Sequence, residues 1–540
     1  MRLRLLFTTA LCAFTSITVS AADLPPASKP IPQVIDQYID AAIAEAGVTP
    51  AGQADDATLI RRLTLDLVGR IPTTAEVDEY VKSTDANKRT QLVDRLIASP
   101  GFARHQATLF EAMFNPEGNG RGSGAFRQYM VEAVKENKPW DKIFREVVLA
   151  NESDAKTKGA AEFIRGRLSD ADKLTNDVSV SFFGVNVSCA QCHNHPLVHD
   201  WTQDHFYGMK MFLARTFDNG GFLGERGYGT IKYKPTKGPE RTAKMMFLTG
   251  AAIEDPNSKE PTAEEMKKEK EALEKAKAAK TAPPAPKFSA RGKLVEVALK
   301  DVNADFFAKN IVNRMWHRYF AAGLVNPLDQ MHSENQPSHP ELLAWLARDV
   351  AANGYDLKRL TRGLVLSKAY SRGSKYESSP PDSKLFAVAR LKPMTPNQLA
   401  TSLKIAATDP AAFVGKKPEE LEKLLEQAEQ AGRGFASLIS QPGENFQIGV
   451  GEALLFSNGE RLTKEFLTDG NGTTLGRAKT MKEPKEVAEF LVKTAYGRAA
   501  TTDEVNAISG YVEKRKGREA EAYRQVLWAL VTSPEFRFSY

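Results

Sequence analysis

Residues 57–72 read ATLIRRLTLDLVGRIP, and the spacing of their apolar side chains decides the fold class. Four of these side chains recur at intervals of one helical turn: Leu59, Ile60, Leu63 and Leu67. That spacing places them on one face of an α-helix. Thr73 and Glu76 follow in the T-x-x-E pattern of a capping box, which predicts the start of another helix.

The same pattern continues along the chain. Residues 87–100, NKRTQLVDRLIASP, predict an amphipathic helix that stops before its final proline. Ser338 and Glu341 predict a second capping box, for a helix that ends near Gly354. Asp356 is expected to cap the helix after it. Helical periodicity of this kind is the dominant signal in the sequence.

Strand patterns are scarce, and the best of them is YGTIKYK at residues 228–234. A chain of 540 residues is longer than one hydrophobic core usually organises. Residues 256–292 are rich in Lys, Glu and Ala and then in Pro, which predicts an exposed helix followed by a stiff linker. The sequence therefore predicts a mainly α protein with two helical domains and at most a small β-hairpin.

The predicted organisation has four parts. These are a signal peptide (1–22), a first helical domain (23–250), a linker (251–292) and a second helical domain (293–540). The first part has a basic start at Arg2 and Arg4, a short apolar stretch, and small residues suited to cleavage. A lipoprotein signal at Cys12 is a poorer match. No later apolar run is long enough to span a bilayer, so we expect an exported protein of the periplasm or cell surface.

Two distant segments resemble each other. GRIPTTAEV begins at Gly69 and GRAATTDEV begins at Gly497. Further along, LIASPGF begins at Leu96 and LVTSPEF begins at Leu530. Because both pieces occur in the same order, we predict a repeated helical unit. The alternative is independent use of the same capping chemistry, since T-T-x-E begins many helices.

The composition excludes some classes of function. The net charge of +6 is small for this length, and no block of Lys and Arg lies beside aromatic residues, so nucleic acid is not an expected partner. The sequence contains no Gly-rich phosphate loop, no G-x-S-x-G elbow and no H-E-x-x-H motif. It therefore assigns no catalytic residue.

Residues 189–193, CAQCH, have the C-x-x-C-H pattern by which c-type haem is attached. In that chemistry the two thiols add to the haem vinyl groups, and the histidine binds the iron as the proximal ligand. One short helical turn would put Cys189, Cys192 and His193 on the same side. Removal of the signal peptide also removes Cys12 and leaves Cys189 and Cys192 as the only two cysteines. Covalent haem attachment occurs outside the cytoplasm. Export and motif therefore support each other.

Other interpretations of this segment remain open. The loop supplies enough ligands for a zinc site: Cys189, Cys192, His193, His195, His199 and His205. A reactive dithiol is a further interpretation, in which residues 178–188, VSVSFFGVNVS, form a strand that leads into Cys189, whereas residues 174–185 also fit a helix. An inert disulfide or polar loop is the remaining alternative.

The sixth ligand of a bound haem would decide its chemistry. Residues 200–215, DWTQDHFYGMKMFLAR, predict a helix that supplies His205, Met209 or Met211. Methionine ligation raises the reduction potential and suits electron transfer. Five more distant side chains are further options: His105, His317, Met331, His332 and His339. His195 and His199 lie too close to His193 to reach the opposite face, and a nearby hydrogen bond is the role expected for them.

Several stretches resemble a known pair of families. Residues 189–214, 61–77, 92–105 and 137–148 are similar to an exported planctomycete cytochrome-like domain of unknown function. The stretches 311–350, 354–370 and 532–540 are similar to its usual partner, another domain of unknown function. The resemblance implies export, two mostly helical domains and a haem-type motif in the first. Cys189, Cys192 and His193 carry over as presumed haem residues, and no activity is implied. Relatives typically have Phe-Asp after His195-Pro196, where this chain has Leu197, Val198 and His199.

We therefore expect an exported c-type haem protein that acts in electron transfer or haem-linked redox chemistry. Its partner would be an exported redox protein, or a protein or polysaccharide of the cell surface. The alternative is a non-haem binding or scaffold protein in which the Cys/His loop holds a metal such as zinc. Neither expectation involves nucleic acid or a membrane-spanning segment.

Overall fold

The computed structural model describes residues 24–116, 123–256, 260–300, 304–442 and 449–540. The predicted signal peptide, residues 1–22, lies outside this described part of the chain. Helices dominate, and the strands of the described ranges form only three two-stranded sheets. The mainly α fold class is confirmed. None of the helices within these ranges is long and apolar enough to cross a membrane.

We call residues 256–292, which are rich in Lys, Glu and Ala and then in Pro, the charged segment. Ten of the described α-helices precede it. They are α1 (Ile31–Glu45), α2 (Asp56–Val68), α3 (Thr74–Lys82), α4 (Lys88–Ala98), α5 (Pro100–Phe114), α6 (Ser123–Lys135), α7 (Trp140–Leu149), α8 (Glu162–Arg165), α9 (Ala171–Val178) and α10 (Gln203–Leu213). Within the described ranges, 3₁₀ turns lie at Lys158–Ala161, Ser188–Gln191, Ser383–Leu385 and Pro410–Phe413, and a π turn lies at Ser179–Phe183.

The later helices begin inside that segment. They are α11 (Ala263–Ala279), α12 (Ala290–Ala298), α13 (Ala304–Phe320), α14 (Pro340–Ala352), α15 (Leu357–Val365), α16 (Pro396–Ala407), α17 (Pro418–Ala436), α18 (Val450–Asn458), α19 (Glu460–Phe466), α20 (Thr474–Ala478), α21 (Pro484–Tyr496), α22 (Thr502–Glu513), α23 (Glu519–Thr532) and α24 (Pro534–Arg537).

The strands are short and antiparallel. They are β1 (Thr216–Asp218) with β2 (Leu223–Glu225), β3 (Lys232–Tyr233) with β4 (Arg241–Thr242), and β5 (Lys392–Pro393) with β6 (Phe538–Ser539). β3 falls inside the segment predicted as a strand, residues 228–234. The β5–β6 pair fixes the end of the chain beside residues that precede α16.

Helix α2 begins and ends as its sequence dictates. The Asp55 side chain accepts a hydrogen bond from the Thr58 amide at 2.7 Å and caps the first turn. Gly69 ends the helix with a φ of 72°, a left-handed conformation that favours glycine. The predicted capping box of α3 is confirmed, because Thr73 and Glu76 each bond the other's backbone amide.

The capping box predicted for α14 is wrong. The helix begins at Pro340, with His339 rather than Ser338 at the capping position, and it has no side-chain cap. Proline fits the first helical position, so the helix starts one residue later than the Ser338–Glu341 spacing requires. The predicted cap of α15 is confirmed, since Asp356 accepts a hydrogen bond from the Arg359 amide at 2.9 Å.

Buried apolar side chains form two cores. The main core contains residues from Ile31 to Ala387 and therefore draws on both sides of the charged segment. The second core contains residues from Met394 to Phe536, joined by Leu65 and Ile71. Ala276 is the buried residue of α11, whereas α12 packs in the main core. The division at 251–292 stays a prediction, and the packing places α1–α10 and α12–α15 around one core.

The two similar sequence segments form similar structures. We call α2–α5 the N-terminal repeat and α21–α24 the C-terminal repeat. Gly69 and Gly497 both end their helices with a φ of 72°, and both are followed by a capping box. The two repeats also touch, because the buried Arg61 guanidinium donates to the carbonyl oxygens of Ala495 and Phe536 at 3.4 and 2.8 Å. The predicted repeat is confirmed as a repeated helix-turn arrangement.

Candidate functional site

The CAQCH segment follows a helix rather than a strand. α9 continues into the π turn Ser179–Phe183, which ends at Gly184 with a φ of 69°. The Asn186 side chain then accepts hydrogen bonds from the Ser188 amide and hydroxyl, at 3.1 and 2.6 Å. These bonds fix the start of the 3₁₀ turn Ser188–Gln191. Residues 174–183 are therefore helical, as one of the two interpretations of this segment predicted. The described segment before Cys189 contains no strand of the kind considered for a reactive dithiol.

Both cysteines are exposed and free. Cys189 and Cys192 form no disulfide within the described residues, although they lie on one short turn. The His193 side chain is also exposed, and its Nδ1 lies 2.7 Å from the carbonyl oxygen of Asn194. A carbonyl can only accept a hydrogen bond, so Nδ1 carries the proton. In the neutral ring this leaves the lone pair on Nε2, which is the atom that would bind a metal.

A cleft of about 400 Å³ opens beside His193, and its volume lies within the range of small-molecule sites. The lining side chains come from the turn, from the start of α10 and from the β3–β4 segment: His193, Asn194, Thr202, Gln203, Asp204, Tyr233, Pro235, Thr236, Lys237 and Arg241. Most of these lining residues are of polar types, and Tyr233 and Pro235 are the aromatic and apolar ones.

An aromatic pair connects the cleft to the cysteine turn. The rings of Tyr207 and Tyr233 stack with centroids 4.1 Å apart, and the Tyr207 hydroxyl donates to the Gln191 carbonyl at 3.2 Å. The Tyr233 hydroxyl donates to Asp204. Burial, followed by that hydrogen bond, raises the pKa of Tyr233 to about 12, so the phenol stays protonated. Trp201, which precedes α10, is buried in the main core.

His195 and His199 differ in their surroundings. The His195 Nδ1 accepts hydrogen bonds from the Leu197 and Val198 amides at 3.3 and 3.0 Å, which fixes the turn after the motif. In this tautomer the proton sits on Nε2, so binding a metal through Nε2 would break both bonds. His199 is exposed. Their role as metal ligands stays a prediction, and the hydrogen bonds of His195 favour a structural role.

The three candidates for a sixth ligand lie on α10. Met209 and Met211 are packed in the main core, with 0% and 3% of their surfaces exposed. His205 is partly buried, and its Nδ1 accepts a hydrogen bond from the Thr202 amide at 3.3 Å. Burial lowers the pKa of His205. None of the three lines the cleft beside His193, so their role also stays a prediction.

The sequence reasoning missed a contact between the motif and a loop far along the chain. The Asn186 amide donates to the Asp329 carbonyl at 2.8 Å, and Asp200 accepts from the Ser333 amide and hydroxyl, both at 2.8 Å. His332 belongs to the same loop, and burial lowers its pKa. Pairings across more than a hundred residues leave no local signal. Lys237 and Arg241 of the cleft were also missed, because only tertiary packing brings the β3–β4 segment beside His193.

Within the described ranges no three His, Cys, Asp or Glu side chains already converge as a metal site. The arrangement instead offers two exposed thiols, one exposed imidazole with a free Nε2, and an adjoining cleft. Such groups suit covalent attachment of a flat cofactor at the surface, or capture of a metal ion after local rearrangement.

Two family models match this chain, one after the other. Residues 34–218 match PSCyt2, described as a protein of unknown function (DUF1549). Residues 290–442 match PSD1, described as a protein of unknown function (DUF1553). The two matched stretches lie in tandem along the chain, and CAQCH lies within the first. No curated protein matches, and no solved structure does either.

Proposed function

We propose that this protein is an exported c-type haem protein of the periplasm or cell surface. Cys189 and Cys192 would hold the haem through thioether bonds, and the His193 Nε2 would bind the iron. When bound, the haem would supply one-electron redox chemistry. An exported redox partner would exchange electrons at the exposed edge of the motif.

The single observation that carries this proposal is the state of the CAQCH turn. Its two thiols are exposed and unpaired, and the Asn194 carbonyl holds the proton of His193 on Nδ1. A proximal histidine usually donates its other ring N–H in this way, which fixes its orientation and leaves Nε2 for the iron. The turn therefore has the donor set that a covalent haem requires.

The cleft supports the same proposal. A haem has a flat apolar ring and two anionic propionates, and the cleft offers Tyr233 and Pro235 beside two cationic side chains. Lys237 is exposed, and the exposed Arg241 donates to Asp204 at 3.4 Å. We infer that these two cations pair with the propionates. Leu197, with 79% of its surface exposed, adds an apolar contact next to the motif for a transient partner.

Of the sixth-ligand candidates we favour His205. Met209 and Met211 would each have to leave a packed apolar core, which costs about 2–5 kcal/mol for a side chain of this size. His205 only has to exchange its hydrogen bonds with Thr202. The expected result is that His205→Ala shifts the visible spectrum of the reduced haem, whereas Met209→Leu leaves it unchanged.

A second candidate function, zinc binding, rests on the additional imidazole of His199. Cys189, Cys192, His193 and His199 are all exposed on one loop, and two thiolates with two imidazoles are a normal zinc set. In this alternative the loop is a metal-bound staple in a binding or scaffold protein for polysaccharide or protein partners. His199→Ala separates the two functions, because it would weaken zinc binding and leave haem attachment unchanged.

The experiment that tests the proposal uses matched variants. The chain is produced together with a haem c maturation system, and the pyridine derivative is recorded for wild type, for Cys189→Ala with Cys192→Ala, and for His199→Ala. We expect a c-type spectrum for wild type and His199→Ala and none for the double variant. Stoichiometric zinc without covalent haem in the wild type would reject the proposal in favour of the second candidate.

A further inference from the structure

The turns of the two repeats place an arginine in the same position. Arg70 donates to both carboxylate oxygens of Glu76 at 2.7 Å, and Arg498 donates to both oxygens of Glu504 at 2.7 and 2.8 Å. Each arginine also donates to the carbonyl of the residue that follows it, at 3.0 Å. The two guanidinium groups are thus held by the same three hydrogen bonds.

The Nε and Nη2 edge of the guanidinium group has different surroundings in the two repeats. In the C-terminal repeat, Nε and Nη2 of Arg498 donate to the two carboxylate oxygens of Glu535 at 2.6 and 2.8 Å. Alignment of LIASPGF with LVTSPEF puts Gly101 at the position of Glu535. Arg70 therefore has the same edge free of any acceptor among the described residues, although only 8% of its side chain is exposed.

A cleft of about 750 Å³ opens over Gly101, between α5 and α17. A Cβ at Gly101 would meet the Ser99 hydroxyl and the Val68 Cβ at 3.6 Å, which is ordinary contact, so the backbone leaves room for a larger group. Arg70 lines this cleft, and so do the apolar side chains of Leu96 and Leu425. The space that Glu535 fills in one repeat is thus open in the other.

Neighbouring charges do not replace the missing carboxylate. Glu422 approaches the Gly101 position, but it accepts a hydrogen bond from Arg104 Nη2 at 2.7 Å. Glu429 accepts from Arg104 Nε, also at 2.7 Å. Both carboxylates are thus hydrogen-bonded to Arg104 rather than to Arg70. The free edge of Arg70 is thus a donor pair that a ligand can use.

A second buried polar side chain, His105, lies at the same cleft. His105 is only 8% exposed, it lines the cleft, and its Nε2 has no hydrogen-bond partner in the described structure. Burial, with a smaller effect from Arg318, lowers the pKa of His105 to about 3, so the ring is neutral. A polar group of a bound ligand would relieve the cost of leaving the buried Nε2 without a partner.

We propose that this cleft binds a small carboxylate, whose carboxyl group occupies on Arg70 the place that Glu535 occupies on Arg498. The ligand carries a short apolar body against Leu96 and Leu425 and a second polar group that reaches His105. An arginine edge and a carboxylate form two parallel hydrogen bonds, which makes the pairing specific for that geometry. The site is separate from the CAQCH turn and does not depend on haem.

The test uses acetate and lactate as probes on the full chain, with sodium chloride at equal ionic strength as the control. We expect both carboxylates, and not chloride, to raise the midpoint of thermal unfolding in a saturable way, with lactate the tighter ligand. Gly101→Glu supplies the missing carboxylate from the chain itself. It should raise the midpoint without ligand and weaken acetate binding at least tenfold.

Gly101→Ala is the matched control, because it adds a Cβ without a carboxylate and should keep the acetate response. If Gly101→Glu does not fold, Arg70→Lys gives the same test, since a lysine cannot offer two parallel donors, and acetate affinity should fall at least tenfold. An equal response to acetate and chloride, or an acetate response that survives both Gly101→Glu and Arg70→Lys, would overturn the proposal.

Discussion

Gly69 and Gly497 occupy equivalent turns but face different neighbours. Both have a φ of 72°, so an alanine at either position costs about 1–2 kcal/mol in backbone strain. At Gly69 the new Cβ would also lie 2.4 Å from Nδ1 of the buried His105, whereas at Gly497 the nearest atom, on Val77, is 3.4 Å away. A clash in a packed interior adds about 1–3 kcal/mol.

Gly69→Ala should therefore destabilise the protein clearly more than Gly497→Ala. Urea unfolding of the two variants, followed by circular dichroism, measures the difference. Equal losses of stability, or a larger loss for Gly497→Ala, would show that His105 does not pack against the turn as described.

His105 also predicts how stability depends on pH. Its pKa is about 3 in the folded protein, against about 6.5 for an unfolded histidine, so the unfolded chain binds more protons between these values. Stability should then fall as the pH drops from 6.5 towards 3, by up to about 1.4 kcal/mol per pH unit for this residue. His317, whose pKa is lowered to about 4 chiefly by burial, acts in the same direction.

Unfolding free energies of wild type and His105→Gln at pH 7, 6 and 5 check this dependence. The variant should lose less stability over that range, because His105 no longer takes up a proton on unfolding. An identical slope in both proteins would mean that His105 is already accessible to protons in the folded state.

At the scale of single elements, α2 shows what the sequence could and could not predict. Its apolar face was evident from the spacing of Leu59, Leu63 and Leu67, and those side chains are in the main core. Leu65 was not among the residues assigned to that face, yet it packs in the second core. Arg61 would ordinarily mark a solvent-facing side, but here it is buried because another part of the chain covers it.

This burial makes Arg61 the residue that docks the C-terminal repeat onto α2. Arg61→Met removes hydrogen bonds to the carbonyl groups of Ala495, Glu535 and Phe536 and leaves these acceptors without a partner. We expect a loss of about 2–4 kcal/mol. Arg95→Met is the matched control, because its ion pair with Glu79 is exposed and is worth about 0–1 kcal/mol.

Denaturant titration of both variants distinguishes the outcomes. A loss for Arg61→Met no greater than that for Arg95→Met would contradict the docking role.

In the candidate site, too, residues that are adjacent in the sequence could be predicted, and residues that are distant in the sequence could not. CAQCH and its turn could be predicted because the donors lie within five consecutive residues. The cleft walls at Tyr233 and Arg241, and the supporting loop around Asp329, could not be predicted, because only tertiary packing brings them there. The start of α14 was misplaced because Pro340 competes with the Ser338 cap.

At the scale of the whole molecule, the main core crosses the charged segment. Side chains before α11 and after it share one set of buried contacts, with α12 and α13 packing on helices of the first half. α11 itself is mostly exposed and rich in lysine. Limited trypsin digestion should cut first in α11, and the two fragments should stay together in gel filtration.

Fragments that separate after this single cut would contradict a shared core and support two independent domains divided at 251–292. A variant that lacks the lysines of α11 serves as the control, since it should resist the first cut while keeping the same elution volume and circular dichroism spectrum.

The most direct test of the central claim is the mass of the intact, exported chain after production with a haem c maturation system. The account predicts a product cleaved near residue 22 whose mass is raised by one haem, with both thiols of CAQCH blocked to alkylation. An exported chain without added mass, in which Cys189 and Cys192 both react with the alkylating reagent, would contradict it.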